Sequence, residues 1–155
     1  MPFTSKVLIG FAIVTCFWAV APAQAAPTSA EQALIVEVNR VRAQHGLRDL
    51  RFDPALERSA RARTRGILRT GSLTHGSIAP RIVRYGVRGR AVGENLGWGI
   101  GSRSSAQWIV ATWLASPSHR ANLLRRGFNR IGVGRGVGTF HGHGDAAVVT
   151  AHFAG

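Results

Sequence analysis

The sequence predicts an α+β domain, and three observations carry that prediction. Two amphipathic helical patterns with chemical start and stop signals come first. A glycine-rich extended segment, Gly93-Glu94-Asn95-Leu96-Gly97-Trp98-Gly99, follows them. Two runs at 131–134 and 147–153 are rich in β-branched residues and read as strands, most economically paired antiparallel.

The chain opens on a leader. Lys6 supplies a positive start, residues 7–20 form a short apolar run, and Ala23-Gln24-Ala25 has the small-x-small form of an export cleavage site. The run is too short and too poorly flanked for a membrane span, so no retained transmembrane anchor is expected. The expected division is a signal peptide at 1–25, a short linker at 26–30 and one domain at 31–155, secreted or periplasmic. Cleavage removes Cys16, the single cysteine, which excludes thiol catalysis, Cys-ligated zinc and redox chemistry from the remaining chain.

Cleavage also removes the one lysine. What remains carries 19 arginines against 7 acids, so anionic surfaces are natural partners. The arginines are scattered, without an aromatic-interleaved basic block, and export argues against nucleic acid as a partner. A solvated basic face is the plainer expectation.

Each element has a local reason. Ser29-x-x-Gln32 resembles a capping box, Leu34, Val38 and Val41 recur at helical spacing, and Gly46 stops the pattern, predicting a helix over 31–45. Asn39 lies beside that stripe, placed to tie down a neighbouring loop. Leu50-Arg51-Phe52 is an extended connection with its two apolar side chains on one side. Asp53-Pro54 is a cap followed by proline at the first helical position, and the second helix ends at Gly71. Its apolar face is Leu56, Ala60, Ile67 and Leu68, with five arginines mainly off it. Residues 76–92 read as irregular, anchored by Ile82, Val83 and Tyr85. Ser104 or Ser105 caps a third helix, in which Ile109, Val110 and Trp113 pack. His141-Gly142-His143-Gly144-Asp145 reads as a floppy polar hairpin turn, and His152 receives no role.

Ser116-Pro117-Ser118-His119 starts a short helix, with Ser116 as the cap. His119 falls in its first turn, near the positive end of the helix dipole, which favours neutral imidazole able to bind a metal or accept a proton. His75, after a polar turn, and Glu94, on the extended segment, are the other ligand-type side chains. His75 and His119 are candidate divalent-metal ligands, with zinc or another divalent cation as cofactor. Glu94 is either a further ligand or the orienting partner of an imidazole. Gly-x-Ser-x-Gly and His-Glu-x-x-His patterns are both absent.

Several pieces occur together in order. They are Asn39-x-x-Arg42, Gly46-Leu47, Asp53-Pro54-x-Leu56-x-x-x-Ala60, Thr74-His75 and Gly93-Glu94-Asn95-Leu96. Trp113-x-x-Ser116-Pro117-Ser118-His119-Arg120-x-Asn122-Leu123-Leu124 and Phe128-x-x-Ile131-Gly132-Val133-Gly134 complete the set. This order resembles the bacterial CAP domains, the SCP-like relatives of cysteine-rich secretory proteins, antigen 5 and pathogenesis-related 1 proteins. The resemblance implies an α-β-α sandwich with a small, mostly antiparallel sheet between helical layers. It also implies a cleft in which His75, His119 and Glu94 converge, able in some relatives to hold zinc. The second acid of the family's fuller set would fall about where this chain has Ser116, which weakens any two-glutamate mechanism.

Three functions fit these features. One is a secreted CAP-type module whose cleft binds a metal and a ligand, whether lipid, glycan or protein. Another is a metal-assisted or acid–base hydrolase acting on an envelope component. The third is a basic adhesion or toxin-like protein for anionic surfaces. The missing second acid and the absent nucleophile favour binding over catalysis.

Overall fold

The computed structural model describes residues 26–155, so the leader expected at 1–25 lies outside the described residues. Helix α1 (Ser29–Gln44) starts two residues earlier than predicted, because Thr28, not Ser29, is its cap. The Thr28 hydroxyl accepts from the Glu31 amide, and the Glu31 carboxylate accepts from the Thr28 amide at 2.8 Å. Glu31 does more than cap. Its buried carboxylate also takes Arg61 at 2.9 and 2.5 Å and the Arg135 amide at 3.2 Å, linking three elements.

Asn39 holds the segment after α1: its amide donates to the Leu50 carbonyl and its oxygen accepts from the Leu50 amide. Strand β1 (Arg51–Phe52) follows, with Leu50 buried but Phe52 37 % exposed, so the two side chains expected to share a side part company. In α2 (Pro54–Thr70), Asp53 accepts from the Ala55 and Leu56 amides, and Gly71 closes the helix at φ 67°. The region read as irregular contains a further short helix, α3 (Ile78–Val83). Six residues show too little periodicity to be seen; burial of Ile82 against Leu56 and Val87 holds them in place.

The sheet comprises β1, β2 (Val92–Gly99), β3 (Arg130–Phe140) and β4 (His143–Ala154), in the order β1-β3-β4-β2. The β3–β4 hairpin is antiparallel as expected, with strands longer than predicted and a turn at His141-Gly142. β2 lies antiparallel on the far side of β4, and β1 lies parallel to β3. A 3₁₀ turn (Gly101–Ser104) leads into α4 (Ala106–Ala115), capped by Ser105, and then α5 (Pro117–Leu123). Ser116 has extended backbone at the start of α5, but its side chain caps no amide; its Oγ instead lies 3.5 Å from that of Ser118.

Alternation along β4 divides the core. Val149, Ala151 and Phe153 face α1, α4 and α5, with Trp113 buried among them; Ala146, Val148 and Ala154 face α2 and α3. The result is the expected three-layer α-β-α arrangement. α2 approaches β3 so closely that a Cβ on Gly132 or Gly134 would collide with the Glu57 or Arg61 backbone. Close approach brings Thr64, on the sheet-facing side of α2, onto the strands, where its hydroxyl bonds the Gly134 carbonyl and the Thr150 hydroxyl, each at 3.0 Å.

The histidine-rich turn packs its rings against Trp98. His141 takes a left-handed φ of 48°, and its ring stacks on Trp98 at 5.4 Å between centroids. His143 lies 6.0 Å from the same indole.

Candidate functional site

Three elements converge at the outer edge of β2. Glu94 sits on β2, His119 on α5, and His75 on the segment between α2 and α3. Asn95 and Asn122 fix α5 against the strand. The Asn95 amide donates to the His119 carbonyl at 3.1 Å, while the Asn122 amide donates to the Glu94 carbonyl and to Asn95 Oδ1. An open cleft of about 240 Å³ results, with His75, Glu94, Ser118, His119 and Asn122 in its lining.

All three predicted side chains therefore meet. The His75 and His119 rings lie 5.8 Å apart between centroids, tilted by 52°. His75 Nδ1 lies 3.0 Å from Glu94 Oε1. The other carboxylate oxygen, Oε2, accepts from Arg81 at 2.6 Å and from His152 Nε2 at 2.9 Å, with Arg63 at 3.8 Å. Arg81 also donates to the His75 carbonyl at 2.9 Å, so it positions the segment carrying His75 as well as the acid.

His152 and Arg81 are the residues that sequence reasoning passed over. His152 is fully buried and stands directly opposite Glu94 in the β2–β4 register, a non-local relationship that no local pattern encodes. Arg81 belongs to α3, which is too short to show a helical period in the sequence.

Burial alone would raise the Glu94 pKa. The hydrogen bond from His152, the Arg81 charge and the His75 hydrogen bond outweigh it, and the carboxyl stays below its ordinary range. His152 moves down because burial penalises the imidazolium more than Glu94 favours it, and Arg81 and Arg63 add repulsion. Neutral His152 is the consistent state: it donates from Nε2, and its buried Nδ1, which has no partner, carries a lone pair rather than a stranded proton. His119 is likewise pushed down, by burial first and by His75 second.

The chemistry of this set can be tested against a divalent ion. Metal–nitrogen bonds of about 2 Å put two imidazoles on one ion at centroid separations of about 5–6 Å, which the observed spacing meets. His119 Nε2 is buried without a hydrogen-bond partner, as an open ligand atom would be. Both Glu94 oxygens are engaged by protein donors, so Glu94 acts as the orienting partner of His75 and not as a ligand. No group of three or more His, Cys, Asp or Glu suited to a metal occurs among the described residues. The residues fit an open two-histidine site completed by water or ligand oxygen.

Similar proteins agree with the fold. Protein YkwD of Bacillus subtilis is 32 % identical over 112 residues, covering 68 % of this chain and 42 % of YkwD. An extracellular protein containing a SCP domain from Bacillus anthracis superposes with TM-score 0.67 at 24 % identity, over 81 % of this chain and 40 % of that protein. An outer surface protein from Borrelia burgdorferi gives TM-score 0.67 at 24 % identity, over 82 % of this chain and 93 % of its own. The chain thus spans about two fifths of the first two relatives. Residues 36–153 match the CAP family, described as the cysteine-rich secretory protein family, and the chain belongs to it.

Proposed function

We propose that this chain is an exported CAP-domain binding module whose cleft holds a divalent cation between His75 and His119 and presents it to a ligand. The observation that carries the reading is the pair of imidazoles 5.8 Å apart, with His75 oriented by Glu94 and the His119 Nε2 unpartnered. A bound zinc would supply a Lewis-acidic centre for a ligand oxygen. The chain's own part is to aim both imidazoles. Glu94 takes the proton-bearing face of His75, and burial disfavours protonation of His119.

Binding fits better than turnover. Ser118 Oγ pairs only with Ser116 Oγ at 3.5 Å, so no base activates it, and the acid of the cleft is saturated by Arg81, His75 and His152. Relatives described as extracellular or outer surface proteins support export, as does the leader pattern; among the described residues no helix is long and apolar enough to cross a membrane. Lipid, glycan and protein all remain ligand classes for the cleft.

Calorimetry with Zn²⁺ tests the reading. One ion per chain should bind, and His75→Ala and His119→Ala should each abolish the heat while His141→Ala leaves it intact. Equal binding by all four proteins would overturn it.

A further inference from the structure

A second cavity lies at the opposite edge of the sheet, away from the histidine cleft. It encloses about 580 Å³ beside β1, between the end of α1 and the turn that enters β3. β1 and β2 are the two outer strands, three interstrand steps or about 15 Å apart. Arg42, Arg48, Arg51 and Arg126 line this cavity, against the single carboxylate of Asp49.

Arg42 is its fixed charge. The side chain is 1 % exposed and donates to the carbonyls of Arg48, Leu123, Arg125 and Phe128 at 3.0, 2.7, 3.3 and 3.4 Å. Carbonyl oxygens satisfy its donors but carry no net charge, so the guanidinium's positive charge is left without a counter-ion. Burial accordingly pulls the Arg42 pKa down, and only Asp49 pulls it back. Arginine nevertheless stays protonated. None of the ion pairs among the described residues uses Arg48, Arg51, Arg126 or Asp49. Four arginines therefore line a space that contains one acid, and the side chains of Arg48, Arg51 and Arg126 enter none of the ion pairs or hydrogen bonds among the described residues.

We infer that this cavity binds a phosphate ester. Guanidinium forks match phosphate oxygens in geometry, and a monoester brings about 1.5–2 negative charges with three acceptor oxygens, more than a lone carboxylate offers. The cavity is larger than a phosphate group needs, leaving space for an organic substituent against Leu47. The site depends on neither the metal nor the histidine cleft. A soluble phosphate ester and a lipid headgroup share the recognised chemistry.

Amide NMR of the ¹⁵N-labelled chain tests this, with glycerol 3-phosphate and inorganic phosphate as soluble probes. Saturable shifts are expected in residues 46–51 and 126–129. The double variant Arg48→Gln/Arg51→Gln should weaken binding at least about tenfold. Arg126→Gln, made separately, should weaken it too, so the test survives poor folding of either protein. Arg103→Gln removes an arginine elsewhere on the surface and should leave affinity within about twofold. Sedimentation with vesicles of phosphatidic acid, whose headgroup is a phosphate monoester, and of phosphatidylcholine separates the sources: headgroup binding lost in the double variant assigns the lipid, and soluble binding alone assigns a free ester. Three outcomes overturn the site. They are absence of saturation at tens of millimolar, an equal loss in Arg103→Gln, and vesicle binding that survives the double variant without any binding of the soluble probes.

Discussion

His75 and Glu94 meet through one contact, Nδ1 to Oε1 at 3.0 Å, and it decides which nitrogen of the imidazole is left open. Glu94 is held ionised and can only accept, so Nδ1 carries a hydrogen, and in the neutral tautomer this contact selects the lone pair falls on Nε2. The acid is itself held by Arg81, on a short helix, and by His152, on a neighbouring strand.

Glu94→Gln should therefore act twice. Arg81 would lose its buried counter-charge, at a cost of about 3 kcal/mol in urea unfolding. Zn²⁺ affinity should fall by about 10- to 100-fold through loss of the His75 orientation. A variant as stable as the parent would show that the Arg81–Glu94 pair carries no structural weight.

Acid should destabilise the metal-free chain in two windows. His119 and His152 have folded pKa values below the ordinary 6.5, so the unfolded chain binds more protons there. Stability from these groups is present above pH 6.5 and is lost as pH falls through their folded values. Glu94, held below 4.5, adds a contribution that disappears at still lower pH. Chemical denaturation from about pH 8 down to about pH 3 checks this. His152→Gln should flatten the upper window, whereas His141→Ala should not.

Trp113→Ala should cost about 3–5 kcal/mol. The ring is 1 % exposed among α1, β3 and β4 residues, and its Nε1 donates to the Leu96 carbonyl at 2.8 Å. Trp113→Phe would keep most of the packing and strand that carbonyl, for a smaller loss of about 1–3 kcal/mol. A cost below about 1 kcal/mol for the alanine variant would contradict the burial.

Gly132→Ala and Gly134→Ala should each lose about 3 kcal/mol or more, because the added methyl meets the α2 backbone and not a side chain that can turn away. Gly66→Ala, on the same helix with open space around it, should be neutral or stabilising by about 0.5–1 kcal/mol. Thermal melts of the three proteins decide whether α2 sits on β3 as closely as described.

What the sequence determined by itself were the features whose causes are local. Asp53-Pro54 and Gly71 bound α2 because cap, proline and left-handed glycine act within one turn of the backbone. The apolar run of β4, the hairpin of β3 and β4, and the singling out of His75, Glu94 and His119 as side chains of ligand or orienting type rested on the same kind of local signal. Tertiary structure alone decided how Glu94 is used. Pairing of β2 with β4 sets His152 opposite it from 58 residues away, and α3, too short to show a period, delivers Arg81. Strand register and the docking of a six-residue helix depend on burial across the whole domain, and burial of that kind leaves no mark at any one position in the chain.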